Sequence, residues 1–281
     1  MEICIGGGTD SSAPVLCAAH PAEALGEGAV ELLSTAAGAR VVCVSPRGLG
    51  GSSPLASGQR PALDEMVEDI EAVRRRLGVS QWVFWGMSGG GWLAQIYAHR
   101  SPDALAGVII EGACACFRER LADPACVLSP FYPAWRAALE EAALLDPASH
   151  QKAGRADDTE WIDLQGVGSV FRRRNGPALL VSPMPLSDGM LRAMPALWAF
   201  DSRAWLPTVR VPALVLSGTA DPIVPIAHAQ AVHQAIAGSK WVAVEGAGHV
   251  PVAEKRPEVA AAVRAFLEDL GLTREGLAGG G

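Results

Sequence analysis

A serine set in a glycine-rich turn constrains this chain more than any other feature. The stretch Trp85-Gly86-Met87-Ser88-Gly89-Gly90-Gly91 follows an apolar run, Gln81–Trp85, that suits a buried strand. It precedes Trp92–His99, whose apolar residues have helical spacing. A Gly-x-Ser-x-Gly between strand and helix forces the serine into a sharp turn where the two backbones pass close together. Gly86 and Gly90, two positions to either side, carry no Cβ and so permit that approach. The helix starting here aims its free N–H groups and positive dipole end at the seryl oxygen and at any oxyanion beside it. Glycine is plentiful, 31 of 281 residues, so the five letters alone fit a plain flexible turn equally well. The flanking strand and helix decide for a nucleophile elbow.

The same alternation runs through much of the chain. Residues 1–12 suit an edge strand and a turn at Gly6-Gly7-Gly8, and Ala13–Ala19, Val41–Ser45 and Leu105–Ile110 suit further strands. Ala22–Ala37 suits a helix stopped by Gly38, and Met66, Val67, Ile70, Val73 and Leu77 mark a second helix capped by Gly78. Strand and helix patterns return at Val211–Ser217, 225–237, Lys240–Glu245 and 256–270. Strands and helices in this order imply an α/β fold, with a mostly parallel sheet covered by helices on both faces. From Gly112 to about Leu206 the alternation fails, leaving broken helical patterns near 117–122, 134–145 and 187–200. The expected organisation is a core made of 1–112 and 207–281. A helical cap insertion, 113–206, would lie over the sheet's carboxyl edge, where open α/β sheets place their sites. The glycine-rich tail from Gly276 is expected to be flexible.

Composition removes several classes of partner. A net charge of −7 disfavours nucleic acid and anionic membrane surfaces, which call for a basic face. The compact run Arg172-Arg173-Arg174 reads as a solvated loop or helix face. Cys4, Cys17, Cys43, Cys114, Cys116 and Cys126 lack metal-type spacing and read as small packed hydrophobes. There is no basic leader followed by a long apolar core, and no apolar run long enough for a bilayer. The expectation is a cytoplasmic protein with reduced thiols, a monomer or homodimer, acting on a small molecule without metal or cofactor.

Two further stretches complete a constellation. Ser217-Gly-Thr-Ala-Asp221 places a carboxylate just beyond one strand, and Glu245-Gly-Ala-Gly-His249 places a histidine just beyond the next. Singly, Asp221-Pro222 is a turn initiator and His249 an ordinary loop residue. Jointly, with the elbow before them, they give the chain order Ser88, Asp221, His249 expected of a triad on such a sheet.

With these motifs the chain resembles the α/β-hydrolase superfamily over about residues 13–112 and 207–270. Arg47-Gly48-x-Gly50-x-Ser52 is similar to that family's loop after its fourth strand, and Gly248-His249 followed by Glu254-x-x-Pro257-Glu258 to its C-terminal pattern. The resemblance implies the α/β-hydrolase fold, Ser88 as nucleophile, His249 as general base then acid, and Asp221 as the acid that orients the histidine. It implies backbone oxyanion donors at Gly89 and, because Pro21 has no N–H, at Ala22, with Glu23 as a second option for the latter. Set beside that family, the chain is expected to lack one leading strand at its amino end. Glu111, after the strand Val108–Ile110, is an alternative acid or a neighbouring carboxylate. Met87, Trp135, Trp161 and Trp198 are the expected substrate-pocket residues, drawn from the elbow and from a cap rich in aromatics and methionine.

The function implied is an esterase or lactonase for a small to medium apolar substrate. The alternatives sharing the same triad are a peptidase of the proline iminopeptidase type, an acyltransferase and a cofactor-free perhydrolase. The peptidase would hold a free amine with cap carboxylates such as Glu140, Glu141, Asp157 or Asp158. A ligand-binding protein on the same scaffold is the reading from a different class.

Overall fold

Short runs of β-branched and aromatic residues form the strands, and amphipathic runs between them form the helices. The structure is a computed structural model describing residues 1–6, 15–19, 34, 39–56, 59–141, 159–163, 169–173, 178–182 and 188–272. The first half holds β1 (Glu2–Gly6), β2 (Val15–Ala19), β3 (Arg40–Ser45), α1 (Leu63–Arg76), β4 (Trp82–Met87), α2 (Gly89–Arg100) and β5 (Leu105–Glu111). A middle stretch follows with α3 (Phe117–Ala122), α4 (Tyr132–Glu141), β6 (Thr159–Asp163), β7 (Ser169–Arg173), β8 (Ala178–Ser182) and α5 (Asp188–Ala199). The chain then adds β9 (Ala213–Gly218), α6 (Ile226–Ala235), β10 (Lys240–Val244), α7 (Pro251–Glu254) and α8 (Arg256–Asp269).

Seven strands form one sheet in the order β1-β3-β2-β4-β5-β9-β10. Only the edge pairing of β1 with β3 is antiparallel; the other pairings in this sheet are parallel. Strands β4 and β9 are buried at every position, as befits strands covered on both faces. Alternate residues of β4 divide between two core layers. Trp82 and Phe84 pack with Ile70, Tyr97 and Val108 on the face of α1 and α2, whereas Val83 and Trp85 pack with Leu214, Val263 and Phe266 on the face of α8.

The stretch between β5 and β9 holds the helices expected near 117–122, 134–145 and 187–200. It also holds a three-stranded antiparallel sheet, β6-β7-β8, in place of an entirely helical insertion. Arg172 and Arg173 lie on β7, so that part of the basic run is strand and not loop or helix. Phe117, Leu121, Trp135, Met194 and Trp198 from this stretch join the same apolar cluster as the α1–α2 face of the sheet. Of the sequence-based helix Ala22–Ala37, only Ser34 is among the described residues, and the glycine-rich tail lies outside them.

What this topology does for function is bring four carboxyl ends together. β4, β5, β9 and β10 are consecutive neighbours in the sheet, and Ser88, Gly112, Asp221 and His249 follow them in turn. The elbow depends on backbone contact at one of these ends: a Cβ on Gly86 would sit 2.0 Å from the Gly90 carbonyl oxygen. Gly238, at φ +76° with open space around it, is a control for backbone conformation alone. Gly86→Ala is expected to cost more than about 3 kcal/mol of unfolding free energy, and Gly238→Ala about 1 kcal/mol. Urea denaturation of both variants checks this, and equal losses would contradict the close approach at the elbow.

Candidate active site

Ser88 has φ 50° and ψ −113° and is the one described non-glycine residue at positive φ. Such a conformation is strained, on the order of 1–3 kcal/mol, and persists only where neighbours enforce it. The Ser88 N–H donates to the Glu111 carbonyl at 2.8 Å, and the Ser88 carbonyl accepts from Gly91 N–H at 2.9 Å. A Cβ at Gly91 would stand 2.4 Å from the Ala113 Cβ, so the first turn of α2 lies directly against the chain leaving β5. Because α2 begins at Gly89, that residue's amide has no acceptor within the helix.

Bringing a histidine to this serine is a problem of distance. β4 and β10 are three strand spacings apart, about 14 Å, so the chain after β10 must double back across the ends of β9 and β5. Glycines let it do so. A Cβ on Gly218 would meet the Gly248 oxygen at 2.1 Å, and Gly112, beside the His249 oxygen, turns the chain at φ +54°, a conformation that side chains rarely adopt. The returning loop is stitched to the turn after β9. Ala220 N–H donates to Ala247 O at 2.9 Å, Thr219 N–H to Val244 O at 3.1 Å, and Gly246 N–H to Thr219 Oγ1 at 2.9 Å.

The result is a continuous hydrogen-bonded chain. His249 Nε2 lies 2.9 Å from Ser88 Oγ, and His249 Nδ1 lies 2.8 Å from Asp221 Oδ2. The Asp221 carboxylate is fully buried, while the imidazole keeps 15% of its surface exposed. Oδ1 of Asp221 accepts the N–H groups of Ile223 at 2.8 Å and Val224 at 2.9 Å. Each carboxylate oxygen therefore has a donor, which offsets the cost of burying the charge.

Glu111 occupies a different place from Asp221. Its side chain accepts from Trp85 Nε1 at 2.8 Å and from Val252 N–H at 3.0 Å, with no bond to His249. It is fully buried, and burial pushes its carboxyl up to about 7 against the pull of these two donors. The folded protein holds this proton to higher pH than the unfolded chain does. The stabilisation is therefore complete below the unfolded value and is lost as pH rises through about 7. Glu111→Gln should accordingly gain stability relative to the parent between about pH 5 and about pH 8, read from denaturation midpoints. A pH-independent difference would contradict the assignment.

The pocket residues expected from sequence fall in several places. Met87 is buried in the core layer shared with Trp85, on the α8 face. Trp135 is buried in the opposite layer, and its indole N–H has no acceptor among the described residues. Trp198 stacks on Tyr132 with centroids 5.4 Å apart and meets Phe117 edge-on at 6.3 Å. Trp161 lies on β6, with its side chain outside the described part, and Ala22 and Glu23 lie outside the described residues altogether. Sequence reasoning gave no role to Glu254 beyond a family pattern, yet its carboxylate accepts Gly248 N–H at 2.7 Å and Val250 N–H at 3.0 Å, one on either side of His249. It also missed Phe117, whose ring meets both Trp92 and Trp198. A glutamate five residues after the histidine, at the start of a helix, was the available signal for the first.

Comparison with known proteins places this geometry. The family described as alpha/beta hydrolase fold matches residues 3–255. A proline iminopeptidase from Neisseria gonorrhoeae is 35% identical over 77 residues, 27% of this chain and 25% of that protein, so the chain spans about a quarter of its length. A probable proline iminopeptidase from Leptolyngbya boryana is 25% identical over 236 residues, covering 75% of this chain and 73% of the relative. Among solved structures, the enol-lactonase from Burkholderia xenovorans has a TM-score of 0.64 at 21% identity, over 95% of this chain and 96% of that one, a likeness of fold. With a family match that takes in the elbow, the buried acid and the histidine loop alike, the chain belongs to the alpha/beta hydrolase fold family.

Proposed function

We propose that this chain is a serine hydrolase that cleaves a carboxylic ester or lactone through an acyl-enzyme on Ser88. The observation that carries the reading is the chain of contacts Ser88 Oγ–His249 Nε2 and His249 Nδ1–Asp221 Oδ2, at 2.9 and 2.8 Å. With its Nδ1–H donating to Asp221, the imidazole presents an Nε2 lone pair to the serine. Oγ attacks the substrate carbonyl carbon as His249 takes its proton, and the oxyanion that forms faces the Gly89 N–H at the start of α2. Collapse expels the alkoxide, which His249 protonates. Water then repeats the sequence on the acyl-enzyme, releasing the acid and restoring Ser88.

A second oxyanion donor is assigned to Ala22 by its position after β2. The acyl pocket is assigned to Trp135, Trp161 and Trp198, which favour a small to medium apolar group. The segment 113–206 acts in this reading as the lid that selects substrate.

A second reading, a peptidase that removes an amino-terminal residue, is favoured by the proline iminopeptidases among the relatives. It requires carboxylates to hold a free amine. Glu140 and Glu141 lie on α4 with side chains outside the described part, and Asp157 and Asp158 lie outside the described residues.

A panel of activated esters, lactones and amino-acyl arylamides separates these readings. Ester or lactone turnover is expected to exceed arylamide turnover. Ser88→Ala should lose on the order of 10⁴ or more in rate. Asp221→Asn should lose roughly 10⁴ while keeping the fold, by leaving the histidine in the wrong tautomer. Preferred turnover of the arylamides would move the assignment to the peptidase, and unchanged turnover in Ser88→Ala would overturn the mechanism.

A further inference from the structure

Two carboxylates grip the chain around His249 by alternate amides. Glu254 takes the N–H groups of Gly248 and Val250, and Glu111 takes that of Val252. Glu254 belongs to α7, which the loop itself runs into, so its bonds close the loop locally. Glu111 comes from β5, 141 residues away in sequence from Val252. Its remaining bonds go to the serine's side of the site: the side chain accepts the Trp85 indole N–H, and the backbone carbonyl accepts the Ser88 N–H. Apart from the direct Ser88–His249 contact, Glu111 alone among the described residues hydrogen-bonds both to the serine's turn and to the chain just after the histidine.

We propose that Glu111 is a positioning residue of this site, fixing the elbow and the histidine loop to one strand end. This rests on the assignment of Ser88 and His249 as nucleophile and base. The side chain type follows from its partners. Both donors are neutral N–H groups arriving at different oxygens, Oε2 from Trp85 and Oε1 from Val252. A carboxylate accepts at both oxygens, whereas an amide accepts at one and turns a donor toward the other. The strand end is rigid, since β5 is paired on both sides, with Glu111 in register with Met87 and Leu216. The ionisable groups acting on Glu111 are Asp221 and Glu254; the partner from β4, Trp85, carries no charge. Burial first, and these two carboxylates after it, raise the Glu111 carboxyl to about 7.

The test is the steady-state kinetics of Glu111→Gln across pH, with Glu111→Met as a second variant that removes the charge at similar volume. Either folded variant is expected to lose about tenfold in kcat with KM within about twofold, because small displacements of a base from its nucleophile cost rate more than binding. A merely structural carboxylate would lower the unfolding temperature and leave kcat of the folded enzyme in place, and that result overturns the proposal. Loss of activity in Ser88→Ala alongside unaffected Glu111 variants would remove this inference alone. Full activity in Ser88→Ala would remove the assignment beneath it.

Discussion

The site depends on one backbone crossing, the return of the chain after β10 over the ends of β9 and β5. Without it the histidine would stand about 14 Å from the serine's strand. The crossing is possible because Gly218 keeps a side chain out of the path of residues 247 and 248, while Gly112 takes a positive φ that side chains rarely adopt. Other features of the site serve that crossing. The bonds from the turn after β9 fasten the loop where it passes, Glu254 braces the two amides flanking His249, and Glu111 holds it from below. Asp221 sits under the crossing point, so the carboxylate meets the imidazole edge that the loop presents to it.

The two buried carboxylates show how surroundings give like residues different tasks. Asp221 has three N–H partners, two of them from the turn in which it sits and the third the imidazole it orients. Glu111 has two donors, lies wholly within the core and has carboxylates for neighbours, so the same functional group keeps its proton to near neutrality. Burial is the largest cause at Glu111, with its two donors opposing it and the neighbouring carboxylates adding to it.

Much of this could be read from the chain, and the limits have physical causes. The elbow was legible because its glycines are needed for a backbone approach that no other residue allows, as the 2.0 Å position of a hypothetical Gly86 Cβ shows. The strand ends were legible because buried parallel strands are continuous apolar runs. The sequence favoured Asp221 over Glu111 by its family motif, although each follows a strand at the same edge. Side-chain direction separates them in the structure: Glu111 points toward Trp85 and Val252, and Asp221 toward His249. The β6-β7-β8 sheet was missed because its strands are five residues long and mix charged with apolar residues, so neither period shows in so short a run. The aromatics between β5 and β9 were found by type, but Trp198 stacks against Tyr132, a pairing between α5 and α4 that sequence spacing does not reveal.

The central claim is that Ser88 is a nucleophile activated by His249. Incubation with a serine-directed phosphonate followed by peptide mass analysis tests it most directly. One equivalent of adduct is expected, carried on the peptide containing Ser88, formed far more slowly in His249→Ala and absent in Ser88→Ala. An adduct on another residue, or labelling that persists in Ser88→Ala, would contradict it.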